Sequence, residues 1–243
     1  MTPRILATSG GFVATDRWGV MRPGGLMLEA LRLTGVDRPR VCLVMTASGD
    51  DASYLARSYA ALGTLGCDVD HLALFTMPNR DPEEILARSD VVWVGGGSVA
   101  NLLALWRLHG VDTAMRAAWE RGTILAGVSA GSICWHVGGP TDSYGPTLRL
   151  VTDGLALLPY GNGVHYDSEE QRRPLLRRVV GDGLLPTSYA TDDRIGILYE
   201  GDEAVRVIAD IEVDAASGPA AYRVERIGSD VVETRLPVGP ITR

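Results

Sequence analysis

Short, almost uninterrupted apolar runs separated by helical patterns constrain this chain more than any other feature. "RILAT" (4–8), "VCLVMTA" (41–47), "DVDHLALF" (68–75), "VVWVGGG" (91–97) and "TILAGV" (123–128) read as strands. Between them lie "DDASYLARSYAALGTLG", "DPEEILARSD", "SVANLLALWRLHG" and "VDTAMRAAWERG", which open with acids or cap residues and close on glycine or charge, as helices do. A strand without polar alternation must be covered on both faces, and helical crossovers supply that cover. The predicted fold class is therefore α/β: a mostly parallel, doubly wound sheet flanked by helices. "RIGILYE", "EAVRVIAD", "AAYRVER" and "DVVETRL" predict an antiparallel C-terminal extension of the same sheet. No linker, repeat or low-complexity tract divides the 243 residues, so one domain over 1–243 is expected.

A net charge of −7 and a pI near 5.1 leave no basic face for nucleic acid. The arginines of "QRRPLLRR" read as the solvated face of a helix. No apolar run is long enough to cross a bilayer, and "MTPRILATSGG" does not read as a signal peptide, so a cytoplasmic protein without membrane partners is expected. Cys42, Cys67 and Cys134 have no metal-like spacing and read as reduced, buried thiols. Neither a metal nor an organic cofactor is expected.

The most chemical stretch is "ILAGVSAGSICWHVGG" (124–139). Gly127-Val128-Ser129-Ala130-Gly131 stands between a predicted strand and a predicted helix, "SICWHV". That order suits a nucleophile elbow, in which small neighbours let the backbone turn sharply and expose the hydroxyl. A helix beginning there would aim backbone N–H groups at developing negative charge. The pentapeptide alone is weak evidence in a chain this rich in glycine.

A serine nucleophile needs a base. His136 lies seven residues along the predicted elbow helix, about 10 Å of axial rise from Ser129, and cannot reach it. His71 falls in a strand and His109 at a helix end, both before the elbow. His165, in "GNGVHYD", occupies a strand-end loop where the catalytic edge of a parallel sheet lies, although a lone histidine is more often structural. For an oxyanion hole, the turn "VWVGGGSVANLL" offers the Gly97 N–H beside that of Ala130. The same glycines also suit a phosphate cradle or a plain tight turn. They lack dinucleotide-fingerprint spacing, however, and no P-loop lysine follows.

"VVWVGGGS", "AGVSAGSICW" and "GLALLPYGNGVHYDSEEQRRP", in this order, resemble the dipeptidase E and cyanophycinase family of serine peptidases, whose fold is that of class I glutamine amidotransferases. The resemblance covers most of the chain. It implies a peptidase acting on short peptides by acyl transfer, with Ser129 as nucleophile, His165 as general base, and Gly97 and Ala130 as oxyanion donors. It also implies a homodimer or larger homo-oligomer.

Two positions depart from the family pattern. The acidic triad member should lie in the loop after the elbow; Asp142 in "PTDSYG" is the nearest acid, with Tyr144 at the equivalent spacing. Glu169, Asp192 and Asp193 are its rivals, and Asp142 reads equally well as an Asx-turn residue. Aspartate-specific members also carry an arginine after the histidine, where this chain has Glu169 in "SEEQRR". A carboxylate there disfavours an aspartyl substrate and suits a free α-amino group or a basic side chain. Ser98, Glu169 and Arg172 are the expected substrate contacts, with Arg172 or Arg173 able to stand in for the missing arginine. Two other readings stay open: an esterase of α/β-hydrolase type, disfavoured because no histidine follows residue 165, and a peptide-binding relative without catalysis.

Overall fold

Strand β1 (Arg4–Thr8) sits inside an eight-stranded sheet and is followed by Ser9 and then Gly10-Gly11. Gly11 has φ +137°, and a Cβ there would stand 2.2 Å from the Trp93 ring, so only glycine fits. A hairpin of β2 (Phe12–Ala14) and β3 (Met21–Pro23) leads into helix α1 (Gly25–Arg32). The alternating pattern then begins: β4 (Arg40–Val44), α2 (Ala52–Gly63), β5 (Asp68–Leu72), α3 (Pro82–Ala87), β6 (Val91–Val94), α4 (Val99–His109), α5 (Val111–Arg121) and β7 (Ile124–Val128). In this computed structural model, which describes residues 2–242, the predicted strands and helices of this region are all present. Strand β4 is shorter than "VCLVMTA", because Thr46–Ser48 curl into a 3-10 turn.

After β7 come the one-turn helix α6 (Ala130–Ile133), β8 (Gly139–Thr141), β9 (Arg149–Val151), β10 (Gly161–Gly163), α7 (Arg172–Gly181) and β11 (Ser188–Thr191). The chain ends with β12 (Ile195–Glu200), β13 (Glu203–Ala209), β14 (Ala221–Ile227), β15 (Asp230–Leu236) and β16 (Gly239–Pro240).

The principal sheet runs β16-β13-β12-β1-β7-β6-β4-β5, parallel from β1 to β5 and antiparallel on the other side. Period-two alternation sends successive side chains to opposite cores. Leu6, Val41, Leu43, Val91, Trp93, Ile124 and Ala126 pack with Leu26 and Met27 of α1. Ile5, Cys42, Val44, Val92, Val94 and Leu125 pack with α4 and α5. The mostly parallel α/β class read from the sequence is therefore the observed fold.

The C-terminal extension needs a correction. Strands β12 and β13 do extend the principal sheet, but β14 and β15 belong to a second sheet of order β10-β11-β14-β15. Helix α7 covers it, burying Leu175, Leu176, Val179 and Val180 against Val224 and Tyr166. The "GGPTDSYGPT" segment, expected as loop, contributes β8. No described helix is long and apolar enough to cross a membrane.

Candidate active site

Strand β7 delivers the chain to Ser129, whose φ of 57° and ψ of −112° lie outside the regions open to most L-residues. Such a conformation costs on the order of 1–3 kcal/mol and persists only when neighbours impose it. Here the flanking glycines do so. A Cβ on Gly127 would lie 2.4 Å from the Gly131 carbonyl oxygen, and one on Gly131 would lie 2.3 Å from that of Val94. Strand and turn thus pack backbone on backbone, and the N–H groups of Ser132 and Ile133 close the turn by donating to the Ser129 carbonyl (2.8 and 2.9 Å).

Helix α6 is a single turn, where a longer helix through "SICWHV" was expected. Local N–H groups, rather than a helix-long dipole, are what this element presents. His136 is excluded as a partner for a different reason than helix length. It is sealed from solvent, with Nδ1 2.9 Å from the Ser132 carbonyl and Nε2 3.5 Å from the Tyr199 hydroxyl. Burial pulls its pKa down to about 4, so it is a neutral core histidine.

His165 sits two residues past β10, and Asp193 two residues past β11, the parallel neighbour of β10. Neighbouring parallel strands bring their exit loops together, and His165 Nδ1 meets Asp193 Oδ1 at 2.5 Å. His165 also holds positive φ (51°), and its side chain is 23% exposed. Its backbone N–H donates to the Ser9 hydroxyl at 3.0 Å, while the Ser129 N–H donates to the Thr8 carbonyl at 3.0 Å. Elbow and histidine loop are therefore both tied to the end of β1, the first at Thr8 and the second at Ser9 just beyond it. Ser132 Oγ donates to Asn162 Oδ1 (3.0 Å), a second link between the elbow and β10.

The acid position differs from the first sequence choice. Asp142 does not meet His165: its side chain is 64% exposed and faces Arg172 at 4.0 Å. Glu169 accepts from Arg172 Nε at 2.7 Å. Asp192 points away from its neighbour Asp193, accepting from the Ala220 N–H (2.9 Å) and the Tyr222 hydroxyl (3.2 Å), and desolvation raises its pKa. Counting residues from the serine missed Asp193 because that acid arrives on a different loop.

Arg172 is also corrected as a substrate contact. It is 2% exposed, with its guanidinium on the Pro140 carbonyl and Glu169. Arg173 is engaged by Glu233 and lies over the Tyr166 and Tyr222 rings. Neither arginine is free to hold a substrate carboxylate. Ser98 caps α4 through its hydroxyl on the Asn101 N–H (3.2 Å). The glycine turn does flank the elbow: a Cβ on Gly96 would stand 3.3 Å from that of Ser129, and the next N–H along is that of Gly97. Ala130 opens α6 and is buried. Among the described residues no group of three or more His, Cys, Asp or Glu is arranged to hold a metal ion. Cys42 and Cys134 are buried free thiols, raised by desolvation, whereas Cys67 is only half-buried.

A strained serine at a strand-to-helix turn, with an aspartate-bonded histidine whose loop is tied to the same end of β1, is the layout of a serine hydrolase. Comparison with known proteins narrows the class. The chain belongs to peptidase family S51, whose model matches residues 26–207, and is a serine peptidase. It is 37% identical to peptidase YgaJ of Bacillus subtilis (strain 168), itself uncharacterized, over 97% of each chain. It is 28% identical to Peptidase E of Streptomyces coelicolor over 184 residues, 68% of this chain and 70% of that one. A crystal structure of a peptidase from an acI-B1 actinobacterium shares the fold, with a TM-score of 0.72 at 14% identity over 100% of this chain and 98% of that one.

Proposed function

We propose that this peptidase is an exopeptidase of short peptides with free N-termini, and that Ser129, His165 and Asp193 carry its chemistry. The observation behind this reading is the His165–Asp193 contact, on loops tied through Ser9 to the same end of β1 that holds the Ser129 elbow through Thr8. With Nδ1–H donating to Asp193, Nε2 keeps a free lone pair and acts as the base. Ser129 Oγ attacks the peptide carbonyl carbon while His165 Nε2 takes its proton. The carbonyl oxygen, now negative, is received by the N–H groups of Gly97 and Ala130. Collapse breaks the C–N bond, and the imidazolium returns the proton to the leaving amine. Water, deprotonated by the same nitrogen, then cleaves the Ser129 ester.

The preference for a free α-amino group rests on charge. Glu169, whose N–H donates to the His165 carbonyl (3.1 Å), and Asp142 share the single guanidinium of Arg172. One negative charge is left over beside the histidine turn, and it favours a cationic group over an aspartyl side chain. The test is hydrolysis of a panel of free and N-acetylated dipeptides. Wild type is expected to cleave the free series preferentially, and Ser129→Ala to lose all turnover. Turnover surviving in Ser129→Ala contradicts the mechanism; equal cleavage of acetylated peptides contradicts the exopeptidase reading.

A further inference from the structure

We infer that Ser9, a residue outside the reacting groups, is a positioning residue that sets the base and the acid in register with the nucleophile. This inference rests on the roles proposed above for Ser129, His165 and Asp193. Ser9 follows β1 directly and is 4% exposed. A buried hydroxyl has one proton to give and two lone pairs to fill, and its partners here account for all three. Its Oγ accepts the His165 N–H at 3.0 Å. It donates to the Thr191 carbonyl at 3.1 Å, and Thr191 Oγ1, 2.7 Å away, supplies a proton to the remaining lone pair.

The backbone of Ser9 holds the acid loop by the same means. Its N–H donates to the Ile195 carbonyl (2.8 Å), and its carbonyl accepts from the Arg194 N–H (2.9 Å). Asp193 is therefore bracketed by Thr191, on the Ser9 hydroxyl, and Arg194, on the Ser9 carbonyl. One residue earlier, the Thr8 carbonyl accepts the Ser129 N–H at 3.0 Å. Two consecutive residues thus reference all three reacting loops, which leave three different strands.

Register matters most at His165, because its positive φ is uncommon outside glycine and is held only where neighbouring groups impose it. The Ser9 hydroxyl supplies that restraint at the backbone, leaving the ring free for Asp193 and the serine. Without it His165 can relax toward ordinary backbone angles and draw its ring away from Ser129. Misplacement of a catalytic group by about 1 Å costs roughly 100-fold in rate.

The experiment compares wild type, Ser9→Ala, Ser9→Thr and Ser129→Ala on a free dipeptide, with kcat and KM resolved. Alongside, it follows the rate at which a small organophosphonate labels Ser129. Ser9→Ala is expected to lower kcat and the labelling rate together by roughly 10- to 100-fold, with KM within about twofold, since Ser9 touches no substrate. Ser9→Thr, which keeps the hydroxyl, is expected to recover most of both. An unchanged kcat in Ser9→Ala, or a loss that appears only in KM, overturns the inference while leaving the Ser129 reading intact. Should Ser9→Ala not fold, Ser9→Cys, similar in size but a poor acceptor, carries the same prediction. Turnover in Ser129→Ala instead overturns the underlying reading.

Discussion

His136 is fully buried, and its two nitrogens face the Ser132 carbonyl and the Tyr199 hydroxyl. Its pKa near 4 lies below the unfolded value of about 6.5, so folding holds it neutral. The linked stability is complete above pH 6.5 and is lost as pH falls toward 4, by up to about 3 kcal/mol. Urea unfolding at stepped pH is expected to show this acid slope, and His136→Gln to flatten it. A slope that His136→Gln leaves unchanged assigns the acid sensitivity elsewhere. Burial acts oppositely on Asp192 and Asp210, whose raised pKa values weaken the fold as pH rises through them. At this scale the sequence picks out Ser129 and His165, and the structure gives the first its strained turn and the second a carboxylate partner. The acid was not legible: Asp192 and Asp193 are adjacent in sequence, and only their opposite directions separate a core carboxylate from the partner of His165.

At the scale of elements, the elbow shows why two glycines accompany the serine. Both sites meet backbone oxygen at less than 2.5 Å from a built Cβ, and a carbonyl oxygen cannot move aside as a flexible side-chain end can. Gly131→Ala is therefore expected to destabilise the protein by about 1–3 kcal/mol, as overpacking does, read as a lower urea midpoint with unchanged slope. It should also depress turnover, because the strain is relieved by shifting Ser129. A midpoint equal to wild type contradicts the packing account. The strand-turn-helix order was readable from "TILAGVSAG", but the brevity of α6 was not. Past α6 the carbonyls of Cys134, Trp135 and His136 accept from the N–H groups of residues 155–158 instead of from the next helical turn, a long-range pairing that "SICWHV" itself does not announce. The strands of the hairpin are only three residues long and show no period, whereas α1 does carry one, with Leu26, Met27, Ala30 and Leu31 at helical spacing on its buried face.

Across the whole molecule, the groups proposed to react come from two sheets. Ser129 leaves the principal sheet, while His165 and Asp193 leave the parallel pair β10–β11 of the second. That pairing joins residues 161–163 to 188–190, with α7 between them, and nothing in the local pattern of either short strand announces it. The second sheet is held to α7 by Glu233, almost buried, which accepts the Tyr166 hydroxyl at 2.8 Å and pairs with Arg173. Removing the Glu233 carboxylate leaves the buried Tyr166 hydroxyl without its acceptor, a loss of about 1–3 kcal/mol, while the half-exposed Arg173 adds little. Glu233→Ala should thus lower thermal stability markedly, and turnover with it, since Tyr166 adjoins His165; full retention of both contradicts this coupling. The central claim is that Asp193, on the second sheet, orients the histidine that activates Ser129 on the first. It is tested most directly by the turnover of Asp193→Asn and Asp142→Asn beside wild type on a free dipeptide. Asp193→Asn is expected to lose about 10³- to 10⁴-fold in kcat and Asp142→Asn less than tenfold. The reverse order would contradict the account.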